Sequence, residues 1–190
     1  DRSPSRGLGD VYKRQMFLLR FALSYIVLAG VYWLYLSQYD TANFEADGVT
    51  REVARESSAL VRFMGDASYT EPHPKDASDK LFVNGKYVAR IVEGCNAVSV
   101  MVLFAAFVVA FYVDFKKTTL YILAGIVIIH LLNVLRIGLI AKAGYYYPEY
   151  WDFLHDIVFP TFIYAVVFVL WVFWVLKVYT NAKKTTTQPA

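Results

Sequence analysis

Thiols are almost absent from this 190-residue chain: Cys95 is its one cysteine. That excludes a disulfide framework within the chain and any zinc or iron–sulfur site built from several cysteines. Histidine is nearly as scarce, with His73, His130 and His155 far apart in sequence. No metal centre and no cofactor is therefore expected. A strong charge of one sign is lacking too. The formal net charge is +3, the basic residues are scattered, and no Gly-rich or zinc-finger pattern accompanies them, which argues against a nucleic-acid partner.

Apolar and aromatic residues are what the chain has in excess. Hydrophobic residues make up 57% of it and aromatics 17%, and the mean hydropathy is +0.40. A soluble domain of this length is nearer half apolar, and Tyr, Trp and Phe in such number suit bilayer interfaces as well as interiors. The composition is that of a small integral membrane protein whose surroundings are lipid.

A helix needs roughly 20 mainly apolar residues to cross a hydrocarbon core of ~30 Å. Four stretches answer to this, and they predict an all-α membrane protein with four transmembrane helices at 16–36, 97–113, 119–141 and 157–176. Residues 1–15, DRSPSRGLGDVYKRQ, are polar and end where the first apolar run begins; they read as a non-native leader and are set apart from the fold. The run 16–36 is long for a signal-peptide core, and Ser37-Gln38-Tyr39 offers no small-x-small cleavage site, so it reads as an uncleaved anchor.

Orientation follows from Lys and Arg near the helix ends. Arg20, Lys116 with Lys117, and Lys177 with Lys183 and Lys184 fall on one side of a four-span alternation, which makes that side, with the tail 177–190, cytoplasmic. The other side receives the loops 37–96 and 142–156. Residues 37–95 hold ten acidic and seven basic residues, and Lys142 is the basic residue of the second loop. The long loop is predicted to contain a surface helix over Val49–Met64, with Thr50 as N-cap. A turn-rich stretch around Pro72 and Pro74 follows. A small β-hairpin comes next, in which 81–83 and 86–90 flank Asn84-Gly85, the strongest short hairpin signal.

Three chemically unusual residues converge on this topology. Cys95 lies at the outer mouth of the second span. Arg136 lies five residues before the outer end of the third, about 7–8 Å below the boundary. His155 lies just ahead of the fourth. Each has a structural alternative. A lone cysteine packs as a small hydrophobe, an arginine snorkels to the interface, and a histidine caps a helix. Arg136, however, stands where the positive-inside bias disfavours it, and an arginine in a span costs about 2.5–3.5 kcal/mol on the insertion scale. Together a thiol, a guanidinium and an imidazole supply a nucleophile, an anion stabiliser and a base. The thiolate attacks a peptide carbonyl, Arg136 donates to the oxyanion, and His155 protonates the leaving amine. Asn133, one turn from Arg136, is placed to orient it. Asn96 is placed to cap the second span or hold the histidine, and Asp156 adjoins His155. His130 falls near mid-bilayer, about 16 Å from the outer end of its span, where a hydrogen-bonded interhelical role competes with a functional one.

At these residues the chain resembles the exosortase/archaeosortase family. The resemblance rests on Val92-Glu93-Gly94-Cys95-Asn96-Ala97 at the head of a span, Asn133-Val134-Leu135-Arg136 late in the next, and Phe153-Leu154-His155-Asp156 before the last. It extends over roughly 91–174 and is greatest toward the short exosortase F type. It implies a membrane thiol protease/transpeptidase with Cys95 as nucleophile and Arg136 and His155 as partners. The implied setting is the outer face of a bacterial inner membrane. The implied substrate is an exported protein with a C-terminal hydrophobic sorting helix, and a membrane accessory protein is a further partner. The chain departs from many relatives in having four readable spans rather than about eight, and Ala97 where they carry glycine. Two other readings fit the same residues. One is a non-catalytic assembly or export factor whose outer loop binds partners. The other is a small transporter or channel with His130, Asn133 and Arg136 as its polar pathway.

Overall fold

The computed structural model describes residues 4–39 and 44–180; part of the long loop and the end of the polar tail lie outside them. Helix α1 (Pro4–Leu36) is unbroken, so residues 4–15, set apart in the sequence, continue the first apolar run as helix. Helix α2 (Gly48–Phe63) follows. Strands β1 (Ser68–Pro72), β2 (Ser78–Val83) and β3 (Lys86–Val92) come next. Then a 3-10 turn at Glu93–Cys95 leads into α3 (Val98–Ala110). Helix α4 spans Phe115–Tyr146, and a last helical stretch, α5, spans Pro148–Tyr179.

The expected helix and hairpin of the long loop are both present, with two differences. Asp47, not Thr50, caps α2: its carboxylate accepts from the amides of Val49 and Thr50 at 3.0 Å each. An acidic side chain is favoured there because it also faces the positive end of the helix dipole. The sheet has a third strand, β1, in the antiparallel order β1-β2-β3. Ser-Tyr-Thr-Glu-Pro carries too little apolar alternation to announce a strand, and it is pairing with β2 that orders it, with Tyr69 stacked on Phe82 at 4.7 Å. Between β2 and β3, Asn84 and Gly85 both have positive φ (49° and 79°), the backbone a two-residue hairpin turn of matching twist requires.

Three helical segments are long and apolar enough to cross a membrane: Arg14–Leu36, Phe115–Tyr146 and Pro148–Tyr179. The second apolar run folds as the 13-residue helix α3, about 20 Å long and thus shorter than a hydrocarbon core. It is nevertheless wedged inside the bundle. Phe104 and Val108 of α3 meet Ile129 of α4 and Val167 and Trp174 of α5 in one buried cluster. Gly125 makes this approach possible: a Cβ there would sit 2.2 Å from the Phe104 ring. The Trp174 indole donates to the Phe111 carbonyl (3.2 Å) and Tyr121 to that of Leu170 (2.7 Å).

A second core joins the sheet unit to the bundle. Val53, Ala54 and Val61 of α2 pack against Leu81, Val83 and Ile91 of the sheet and against Ile137 and Ala141 of α4. The 32 residues of α4 extend about 48 Å, more than a bilayer core, and this surplus length is the post on which α2 and the sheet are mounted. The segment 142–156, expected as a loop, is consequently helical on both sides of Tyr147.

Candidate active site

The 3-10 turn that carries Cys95 is held from two sides. From α4, the buried Asn133 donates from Nδ2 to the Cys95 carbonyl at 2.7 Å. From the other side, Asn96 donates to Tyr32 of α1 (3.0 Å) and to Thr50 of α2 (3.1 Å), while Tyr32 donates to Glu93 at 2.7 Å. Asn96 Oδ1 accepts from the Val98 amide at 2.9 Å. Asn96 Oδ1 thus holds the first amide of α3, whose N-cap position is Ala97, and the other side-chain bonds of Asn96 go to α1 and α2. Asn133 supports the cysteine loop rather than Arg136. Each bond satisfies a buried polar group that would otherwise be costly, and together they fix the nucleophile candidate to three helices. Ala97, next in line, has φ +61° and ψ 11°, the left-handed region in which glycine is at ease.

Arg136 lies one turn beyond Asn133 on α4 and is half-buried. Among the described residues it makes no hydrogen bond or ion pair, and its Nε is fully buried without a partner.

His155 comes from α5. Pro160 has no amide to donate to the Asp156 carbonyl, and its ring crowds that carbonyl. The turn Leu154–Val158 answers by opening into a wide π turn, a distortion frequent at functional positions. His155 Nδ1 meets Asp156 Oδ1 at 2.7 Å; with the carboxylate accepting, Nε2 is left for proton traffic. Trp151, one turn earlier, stacks on the imidazole at 5.9 Å and 8°. It also packs on Gly144, where a Cβ would approach its ring to 2.6 Å, so a missing side chain on α4 lets the tryptophan set the position of the histidine. The i, i+4 spacing of Trp151 and His155 is the local signal in the sequence that the two rings share one helix face.

Cys95, Arg136 and His155, from three separate elements, line one narrow cavity of about 40 Å³ together with Trp151, Ile137 and Ile140. No hydrogen bond joins the three to one another among the described residues. Arg90 of β3 shares the cavity wall, its guanidinium engaged by Asp76 at 2.6 Å. Another cavity, of about 660 Å³, lies at the opposite end of the bundle between the start of α1 and Phe111. The described residues that line it carry no thiol or imidazole.

His130 is not an isolated mid-membrane group. Its Nε2 meets Glu56 of α2 at 2.6 Å, tying the underside of α2 to the span. The residues described hold no cluster of His, Cys, Asp and Glu fit for a metal.

The fold and the cavity define a multi-pass helical membrane protein with a thiol, a guanidinium and an imidazole around one cleft beneath a small sheet. The chain belongs to the transmembrane exosortase family (Exosortase_EpsH), whose pattern matches residues 11–175. Comparison with curated proteins and with solved structures returns no match.

Proposed function

We propose that this exosortase is a membrane cysteine transpeptidase of the short F type, acting through Cys95, Arg136 and His155 on the extracytoplasmic side of a bacterial inner membrane. The short helix α3 counts as the second of four spans in this reading, with Lys116 and Lys117 on the cytoplasmic side. Its substrates are exported proteins bearing C-terminal hydrophobic sorting signals, as family membership suggests. The observation that carries the proposal is the shared cavity, in which the half-buried guanidinium of Arg136 stands without a partner beside the thiol.

The chemistry follows from the placement. The Cys95 thiolate attacks a substrate carbonyl carbon, forming an S–C bond and a tetrahedral oxyanion. Arg136 donates to that oxyanion, a contribution of ~3 kcal/mol for a well-aimed donor. Collapse breaks the C–N bond, and the leaving amine takes a proton from His155, whose Nδ1 is anchored to Asp156. His155 then accepts the proton of the amine that attacks the thioester, restoring the thiol and forming the new amide. Asn133 and Asn96 are positioning residues for the cysteine loop.

The single cysteine makes the test clean. Alkylation of intact cells by a membrane-impermeant thiol reagent at fixed pH is expected to be fast in wild type and at least about tenfold slower in Arg136→Ala or His155→Ala, because the thiolate is the reacting form. A thiol that reacts at one rate in all three proteins, or with permeant reagents alone, overturns the assignment.

A further inference from the structure

The cavity around Cys95 measures about 40 Å³, enough for a water or two and too small for an amino-acid side chain. The residues of a substrate that flank the attacked bond must lie elsewhere. Two further spaces each share a wall residue with the cavity. Trp151 also borders an open depression of about 340 Å³ beside Tyr87, Pro148 and Asp152. Arg136 also borders a groove of about 200 Å³ between α4 and α5, lined by Leu132, Leu135, Leu139, Val158, Phe159 and Phe162. Arg136 is the sole polar residue of that groove. An apolar cavity of about 150 Å³ takes up benzene, so the groove suits one or two large apolar side chains rather than a whole helix.

Resting on the transpeptidase reading, we propose that the α4–α5 groove is a specificity site for large apolar side chains immediately beside the attacked carbonyl of the substrate. Its occupant has two features. It carries an aliphatic or aromatic body that fills the space above Leu135 and Leu139. It also carries a peptide carbonyl at the Arg136 end, where the buried Nε has no partner within the protein. A lipid chain satisfies the first requirement alone. Arg136 is a common wall of groove and cavity, which makes the peptide the better occupant: a side chain seated in the groove brings its backbone to the residue that also borders the thiol's cavity. The opposite depression, with Asp152 and two ring edges, receives the polar residues on the other side of the bond. The site thus selects a chain whose polarity changes abruptly at the attacked peptide.

The test uses the thiol as reporter. Alkylation rates of Cys95 by N-ethylmaleimide and N-octylmaleimide are compared in wild type, Leu135→Trp, Leu139→Trp and the control Leu131→Trp, which lies on α4 outside the groove. The octyl-to-ethyl rate ratio is expected to fall at least about tenfold in the two groove variants, the loss expected when two methylenes are kept out of an apolar site. Leu131→Trp should leave both the ratio and the N-ethylmaleimide rate unchanged. A ratio indifferent to Leu135→Trp and Leu139→Trp reflects membrane partition or lipid occupancy and overturns the proposal. A second arm does not depend on Cys95 being activated. In a Cys95→Ala background, Leu139→Cys is expected to be protected from N-ethylmaleimide by acetyl-Leu-Phe-amide and not by acetyl-Ser-Ser-amide. Equal protection by both peptides, or by neither, overturns the groove whatever the reactivity of Cys95. If Cys95 reacts with N-ethylmaleimide only as an ordinary thiol while this arm succeeds, the catalytic reading fails and the groove stands.

Discussion

Ala97 shows how one residue two positions after the thiol carries a backbone cost that glycine would avoid. Its φ of +61° puts a Cβ where an L-residue is strained by roughly 1–2 kcal/mol. The turn tolerates this because Asn96 is locked on both flanks and the helix must start at Val98 for α3 to reach Gly125. Ala97→Gly is expected to raise stability by about 1 kcal/mol, read as a higher Tm in detergent with the alkylation rate of Cys95 unchanged. The residue chemistry of the site was legible before the fold: thiol and imidazole are rare in this chain, and Arg136 stands out because it lies inside an apolar run. The partners of Asn133 and Asn96 were not. Both side chains reach across to other elements, 38 residues away for Asn133 and 46 and 64 for Asn96, and no local pattern encodes such a span.

The elements divide in the same way. The hairpin at Asn84-Gly85 and helix α2 were readable because their signals are local: two residues of positive φ, and an apolar stripe among charges. Strand β1 and the length of α4 were not, since neighbours order both. At its sheet end α4 is clasped by one carboxylate. Asp66 receives Lys142 at 2.6 Å, the Tyr146 hydroxyl, and Asn84 at 2.9 Å, and Lys142 also donates to the Met64 carbonyl. Lys142 first, then Tyr146 and Asn84, hold the Asp66 carboxyl down at about 2, against an ordinary 3.8. Because the folded value is the lower one, the clasp is at full strength above pH 3.8 and is lost as pH falls through about 2. Asp66→Asn is therefore expected to lower the Tm at pH 7, with a deficit that shrinks between pH 3.8 and about 2 as the wild type begins to lose the same charge. A Tm deficit that stays constant across this range would show the clasp to be a matter of packing, not charge.

At the scale of the whole molecule, two cores share one helix. The lower half of α4 belongs to the membrane bundle through Ile129, and its upper half to the sheet unit through Ile137 and Ala141. The His130–Glu56 pair lies where the two meet. That pairing, with Asn133 committed to Cys95, leaves His130 and Asn133 engaged in holding elements together rather than lining a pathway. The proposed topology predicts opposite accessibility at the two ends. In a Cys95→Ala background, Glu71→Cys on the sheet should react with an impermeant maleimide added to intact cells. Lys117→Cys should react only after the membrane is opened. The reverse pattern would invert the protein and remove the site from the extracytoplasmic side.

The sequence by itself determined that this chain lives in a membrane, where its apolar runs lie, and which three side chains are chemically out of place, because hydropathy, charge and residue type are local properties. Tertiary structure alone decided that α3 is a short wedge and that Pro160 opens the turn bearing His155. It also decided that Trp151 rests on Gly144, and that Arg136 faces an apolar groove on one side and the thiol cavity on the other. These depend on which surfaces meet, and burial of apolar area against a partner carries no signature in either partner's sequence taken alone.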